Sequence, residues 1–294
     1  SWSYYTCPHW GTLSWVDGLE SKEVAGRWYD NDVEKQDANA FVRADWTVIK
    51  GLHLFGDLQY RYVHYKSWGT NDNAIWGDEG VYMQPIEVDK EYNFLNPRIG
   101  ISYNHQRHNI FASAAIAHRE PTRSDFTDRY MFADNDSYPE PERMYDFEVG
   151  YTYSAPRLTL GVNLYYMLYH NQLVATGMVN DGDDALNTNV EDSFRRGVEL
   201  TASWLTTKWL TLSANATLSQ NKIRNYVDML KDSPTYGENL GTMTISYSPS
   251  VMGSIVADFH IGGFSALWHT QYVGKQYFTN NEIEALSLDA SFIL

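Results

Sequence analysis

Charged residues recur at alternate positions in stretches whose other positions are apolar: Arg43, Asp45, Asp57, Arg61, Arg98, Asp146, Glu148, Arg195, Glu199, Asp258 and Asp289. In an extended chain, side chains change face at every residue, so these charges share one face of their strands. Such a face can pair charges across strands, line a hydrated wall or touch a polar ligand. A second group, Arg119, Arg123, Arg129 and Tyr130, lies between the strand-like stretches. Guanidinium groups in a loop can grip an anion through bidentate contacts, and a solvated loop is the plainer reading. Asp134-Asn135-Asp136 and Asp181-Gly182-Asp183-Asp184 look like oxygen-rich calcium loops, but they lack the spacing and the distal Glu of an EF-hand. His105 and His108 flank a turn, and two histidines without further ligands do not specify zinc. Nothing has the spacing of a nucleophile elbow, a P-loop or a catalytic dyad, so no catalytic residue, cofactor or metal is expected.

The elements that must position these residues are hairpins. In Met144 to His170, Tyr145, Phe147, Val149, Tyr151 and Tyr153 alternate with Asp146, Glu148, Gly150 and Thr152. After a turn at Ser154-Ala155-Pro156, Leu158, Leu160, Val162, Leu164, Tyr166 and Leu168 continue the apolar side. Each arm runs for roughly ten residues or more, close to what a tilted strand needs to cross a bilayer. The apolar sets Ala40–Val48 with Leu52–Tyr62, Leu95–Tyr103 with Ile110–Ile116, Phe194–Trp204 with Leu210–Leu218, and Ile255–Ile261 with Phe264–Tyr272 form further hairpins. A bulge or kink is expected near Pro249.

The connections alternate in length. Short turns fall near residues 51, 106, 155, 207 and 262, whereas long loops are expected at Trp68–Glu91, Arg119–Glu142, Thr176–Asp192 and Asn221–Gly241. Several long loops at one end are rare in soluble domains and usual in outer-membrane barrels. Aromatic residues make up 15% of the chain, as the interfacial girdles of such a barrel require. Mean hydropathy is −0.45, and no run of eighteen apolar residues occurs, which excludes a helical membrane protein but not a barrel. The net charge of −15 argues against nucleic-acid binding. A lone Cys7 leaves the redox compartment open.

The fold class expected is all-β, an antiparallel transmembrane β-barrel with about eleven strands in this chain. Residues 1–36 are read as an extracellular loop region with at most a short strand, and 37–294 as the barrel segment. An odd strand count leaves an edge that lipid cannot satisfy, so strands are expected to be missing at both ends.

In order along the chain, Tyr29-Asp30-Asn31-Asp32, Asp57-Leu58-Gln59-Tyr60-Arg61-Tyr62, Asn96-Pro97-Arg98-Ile99-Gly100, Arg119-Glu120-Pro121-Thr122, Pro141-Glu142 leading into Phe147-Glu148-Val149-Gly150-Tyr151, Arg196-Gly197-Val198-Glu199-Leu200 and Tyr272-Val273-Gly274-Lys275-Gln276-Tyr277 resemble the barrel portion of TonB-dependent outer-membrane receptors of Bacteroides type. The resemblance implies a twenty-two-stranded barrel with an N-terminal plug. It also implies uptake of a scarce nutrient such as a ferric siderophore, haem or cobalamin, with energy from the TonB complex. The implied partners are outer-membrane lipid, TonB acting through a plug domain absent from this chain, and a surface lipoprotein. No plug, TonB box or closing C-terminal aromatic residue is recognised. Two other readings stand beside it. A passive porin-like channel would share the strands, and a soluble all-β binding module such as a propeller would need a repeat period that is not found.

Overall fold

The computed structural model describes residues 2–6, 27–77, 80–127, 138–179 and 185–294. Its strands are β1 (Trp2–Thr6), β2 (Arg27–Ile49), β3 (Leu52–Gly77), β4 (Gly80–His105), β5 (His108–Arg119), β6 (Glu142–Ala155), β7 (Leu158–Val179), β8 (Ala185–Thr207), β9 (Leu210–Ile223), β10 (Met243–Thr244), β11 (Val251–Ile261), β12 (Phe264–Val273), β13 (Gln276–Tyr277), β14 (Ser287–Leu288) and β15 (Ser291–Ile293), with a short helix α1 (Arg123–Thr127). One antiparallel sheet runs in the order β1 to β9, then β11, β12 and β15, while β10 pairs with β9. The sequence boundary near residue 36 falls inside β2, which begins at Arg27. All five short connections are two residues long, at 50–51, 106–107, 156–157, 208–209 and 262–263.

The chain divides into two compact units, Ser1–Ala40 with Tyr60–Phe94, and Phe41–Gln59 with Leu95–Leu294. In the second, the hairpin read at Met144–His170 forms with Tyr145 opposite Leu168, Phe147 opposite Tyr166, Val149 opposite Leu164 and Tyr151 opposite Val162. These side chains share one face, and Phe147, Val149 and Leu164 are about half exposed. Leu200, Leu218 and Ile255 continue that apolar face on β8, β9 and β11.

The opposite, polar face has its own packing rule. Phe55 lies over Gly100, Phe111 over Gly150 and Tyr165 over Gly197, so that an aromatic ring covers the bare backbone of a glycine three times. A Cβ at any of the three would collide with the ring, which gives a steric reason for glycine in the middle of these strands.

Two of the predicted long loops are hairpin extensions instead. Strand β3 continues to Gly77 and β4 starts at Gly80, while β7 reaches Val179 and β8 starts at Ala185. At 26 residues, β3 and β4 are each ~85 Å long and far exceed a bilayer. Outside lipid no face has to be apolar throughout, so ladder pairing continues where the alternation stops.

In the first unit the apolar positions change parity along β3. Val63 and Tyr65 are buried, as are Val88 and Phe94 on β4. Neighbouring residues form a polar ladder: Tyr60 Oη donates to Asn93 Oδ1 (2.6 Å), Tyr62 Oη to Glu91 Oε1 (3.1 Å), and His64 Nε2 meets Asp89 Oδ1 (2.8 Å).

The kink expected near Pro249 is a full break between β10 and β11, with Tyr247 in the left-handed region at φ 52°. At the long-connection end of β7, β8 and β9, Val174, Val190 and Ile223 join Tyr226 and Ile245 in a small core, with Leu240 and Met243 against it.

Candidate functional site

Arg43, Asp57, Arg98, Asp146, Glu148, Arg195 and Glu199 lie on the polar face of their strands, whereas Asp289 falls between β14 and β15, outside any strand. Arg43 donates from Nε and Nη2 to Asp45 (2.7 and 2.9 Å), and its Nη1 lies 3.6 Å from Asp57. The guanidiniums of Arg43 and Arg98 both sit on the ring of Phe55, at 5.3 and 5.5 Å. Arg98 in turn acts electrostatically on Asp146 and Glu148. In the first unit, Arg61 forms its own pair with Asp37 at 2.5 Å. Arg43 and Asp45 are more than half exposed, so water and salt screen most of their attraction. The charges therefore report a wet face rather than a source of stability.

Glu148, Arg195 and Glu199 converge on one cavity of about 390 Å³, together with Asn163, Tyr165 and Tyr247. Arg195 lies over the ring of Tyr169 (5.9 Å), and Asn163 Nδ2 donates to Glu199 Oε2 (3.3 Å). Asp146 Oδ1 and Asn163 Oδ1 are buried without a hydrogen-bond partner. The lining is rich in acceptors, so it suits water or a ligand that brings N–H or O–H donors.

The loop set is only partly brought together. Arg119 is held by Glu142 through two bonds, Nε to Oε2 (2.8 Å) and Nη2 to Oε1 (2.6 Å), and still exposes 57% of its side chain. Arg123 starts α1, where Thr122 donates from its amide and its hydroxyl to Asp125 Oδ2 (both 2.7 Å). Arg129 and Tyr130 lie outside the described residues, as do Asp134-Asn135-Asp136 and Asp181 to Asp184. His105 and His108 face each other across the turn, stacked on Tyr103 and Tyr151. Among the described residues no three His, Cys, Asp or Glu side chains gather as metal ligands.

Glu142 is the keystone of the Arg119 site, for its Oε1 also accepts from the amide of Leu173 at 2.6 Å. Glu142→Gln keeps the shape and removes the charge. It is expected to weaken this junction by about 1–3 kcal/mol, read as faster amide exchange at Leu173. Unchanged exchange there would rule the role out.

Sequence reasoning missed the scaffold that carries the outer segments. Asp228 is fully buried and accepts from the Leu230 amide (3.1 Å), Thr235 Oγ1 (2.7 Å) and Asn281 Nδ2 (3.2 Å to each oxygen). Burial alone would raise its pKa, but these bonds and one from Ser233 hold the carboxyl below the usual range. Asn280, also fully buried, donates to Ala175 O (2.6 Å) and accepts from the Ser246 amide (2.7 Å). Glu282 accepts from Lys222 Nζ (3.1 Å), from the Thr244 amide (2.8 Å) and from the Thr244 hydroxyl. The only sequence signal was the polar run Thr279-Asn280-Asn281-Glu282, and nothing local names its partners.

The family model described as TonB dependent receptor-like, beta-barrel, matches residues 4–292. The structure is similar to the ferric-catecholate import receptor Fiu of E. coli K12, with a TM-score of 0.64 at 14% identity, covering 93% of this chain and 40% of that one. It is also similar to the siderophore receptor PiuA of Acinetobacter baumannii, with a TM-score of 0.68 at 12% identity over 93% and 38% of the two chains. The copper transporter OprC gives a TM-score of 0.68 at 14% identity over 89% and 39%. These identities show a shared fold, and the chain spans about two fifths of the length of these structures. No curated protein matches the sequence. With a family match over almost every residue, and with antiparallel strands carrying one apolar and one charged face, the chain belongs to the TonB-dependent receptor β-barrel family of the outer membrane.

Proposed function

We propose that this chain is barrel wall in an active-transport receptor that takes up a scarce nutrient, with a chelated metal such as a ferric siderophore ahead of haem or cobalamin. On this reading the apolar face meets lipid and the polar face, with Arg43, Asp57, Arg61, Arg98, Asp146, Glu148, Arg195 and Glu199, lines the lumen. The observation that supports it is the recurrence of charges at alternate positions on β2, β3, β4, β6 and β8, opposite a face that stays apolar. An Arg or Lys turned into lipid at the midplane costs about 2–4 kcal/mol, whereas a hydrated interior costs little. The names of the structural neighbours, iron-siderophore and copper transporters, support a metal-bearing cargo. Coupling would run through a plug domain to the TonB complex, with a surface lipoprotein as a further partner. Arg119, Arg123, Arg129 and Tyr130 would make first contact with an anionic cargo.

Cells lacking the gene should lose growth on a ferric siderophore as sole iron source and regain it with the full-length gene. Uptake should stop when TonB is removed. Uptake that continues without TonB would sink the active-transport reading in favour of a passive channel.

A further inference from the structure

The apolar face carries a feature that transport does not use. A groove of about 690 Å³ opens there, lined by Val198, Leu218 and Val251 below and by Tyr166, Arg196 and Gln220 above. Its register is fixed, because Arg196 stands opposite Tyr166 on β7 and Gln220 on β9, while Val198 stands opposite Leu218. Strand β8 runs from the long-connection end at Ala185 to a two-residue turn after Thr207, so Arg196 is displaced from Val198 toward the long-connection end. Short turns face the periplasm in outer-membrane barrels, and the long-connection end is therefore the outer one.

Two cations meet beside the Arg196 end of this groove. Arg196 and Arg224 lie over the same ring, that of Phe194, at 5.4 and 5.3 Å. Both side chains are exposed. The hydrogen-bond acceptor of Arg196 is the neutral Gln220 Oε1 (2.9 and 2.6 Å), and among the described residues no carboxylate pairs with either arginine. Two like charges on one ring repel each other, and an oxyanion between them relieves the repulsion with charge-assisted bonds. We propose that this groove binds a phosphorylated glycolipid of the outer leaflet, with a phosphate on Arg196 and Arg224 and an acyl chain along Val198, Leu218 and Val251. The proposal rests on the apolar face being the lipid-facing one.

The test uses the full-length protein in detergent, titrated with bisphosphorylated lipid A and followed by native mass spectrometry. The unmodified protein is expected to bind this lipid about tenfold or more tightly than the same lipid stripped of its phosphates. The double variant Arg196→Gln/Arg224→Gln should lose that preference, and Arg196→Lys/Arg224→Lys should keep part of it. Equal binding of the two lipids by the unmodified protein overturns the proposal without need of any variant. Displacement by millimolar inorganic phosphate, independent of acyl chains, overturns it in favour of a plain anion site. Heat-modifiable migration in a detergent gel shows whether the variants are folded. A protein that leaves membranes in plain buffer would instead defeat the lipid-facing reading itself.

Discussion

Replacing Asp228 with alanine is expected to release the segment from Tyr226 to Leu240 while leaving the sheet intact. The carboxylate is the common acceptor of the Leu230 amide, the Thr235 hydroxyl and the Asn281 amide, and the alanine leaves all of these donors without a partner in a site closed to water. Bonds to a charged group contribute about 1.5–3 kcal/mol each and are not additive, so a loss of roughly 3 kcal/mol or more is expected. Amide exchange at Leu230 and Gly237 should then rise by about two orders of magnitude, since 1.4 kcal/mol is a factor of ten. Heat-modifiability of the barrel should hardly move. An exchange pattern unchanged at those amides would mean that the carboxylate holds nothing.

The same group sets a pH dependence with a definite sign. Its folded pKa lies below the ordinary value of 3.8, so the unfolded segment binds the proton more readily. The stabilisation is fully present above about pH 4 and is lost as pH falls through the folded pKa. Protection of the segment should be flat from neutral pH down to about 4 and fall only beneath it.

Gly197→Val should strike the sheet itself. A Cβ at this position would lie 2.6 Å from the carbonyl oxygen of Leu218 and 2.6 Å from the hydroxyl of Tyr165. A ring can swing aside, but the backbone of β9 cannot move without breaking its ladder to β8. Overpacking of this kind costs about 1–3 kcal/mol, and a backbone obstacle puts the variant at the upper end. The midpoint of heat-modifiability should drop clearly, while Gly56→Ala, with nothing within 4 Å of the added carbon, should leave it unchanged or slightly raised. Equal behaviour of the two variants would show that the aromatic covers do not constrain the strands.

What could be read from the sequence follows from where lipid acts. Between Tyr145 and Leu168 one face must be apolar and the other wet, so a period of two is written into the residues, and the observed pairs match it. The positions of Arg43, Asp57, Arg98 and Glu148 on the polar side were legible for the same reason. Their partners were not, because the Arg98 stack on Phe55 depends on cross-strand register, which alternation leaves free. Outside the bilayer the constraint lapses. The described parts of Trp68–Glu91 and Thr176–Asp192 lie on extended strands although they carry Gly, Asn and Asp, so composition pointed to loops where strands continue. The Asp228 and Asn280 clusters were hidden for a different reason: each joins polar side chains distant in sequence, and their meaning exists only after folding.

The bond from Asn280 to Ala175 has a consequence for the order of assembly. It closes a separation of 105 residues, and β8, β9, β11 and β12 lie between its ends. Closing so long a loop in an unformed chain costs entropy that one hydrogen bond cannot repay, so the contact can form only after the intervening strands have brought its ends together. The Thr279–Glu282 segment thus works as a latch on a finished wall: a chain cut before Thr279 keeps Ala175 but has no latch to close on it, and its outer segments stay unlocked.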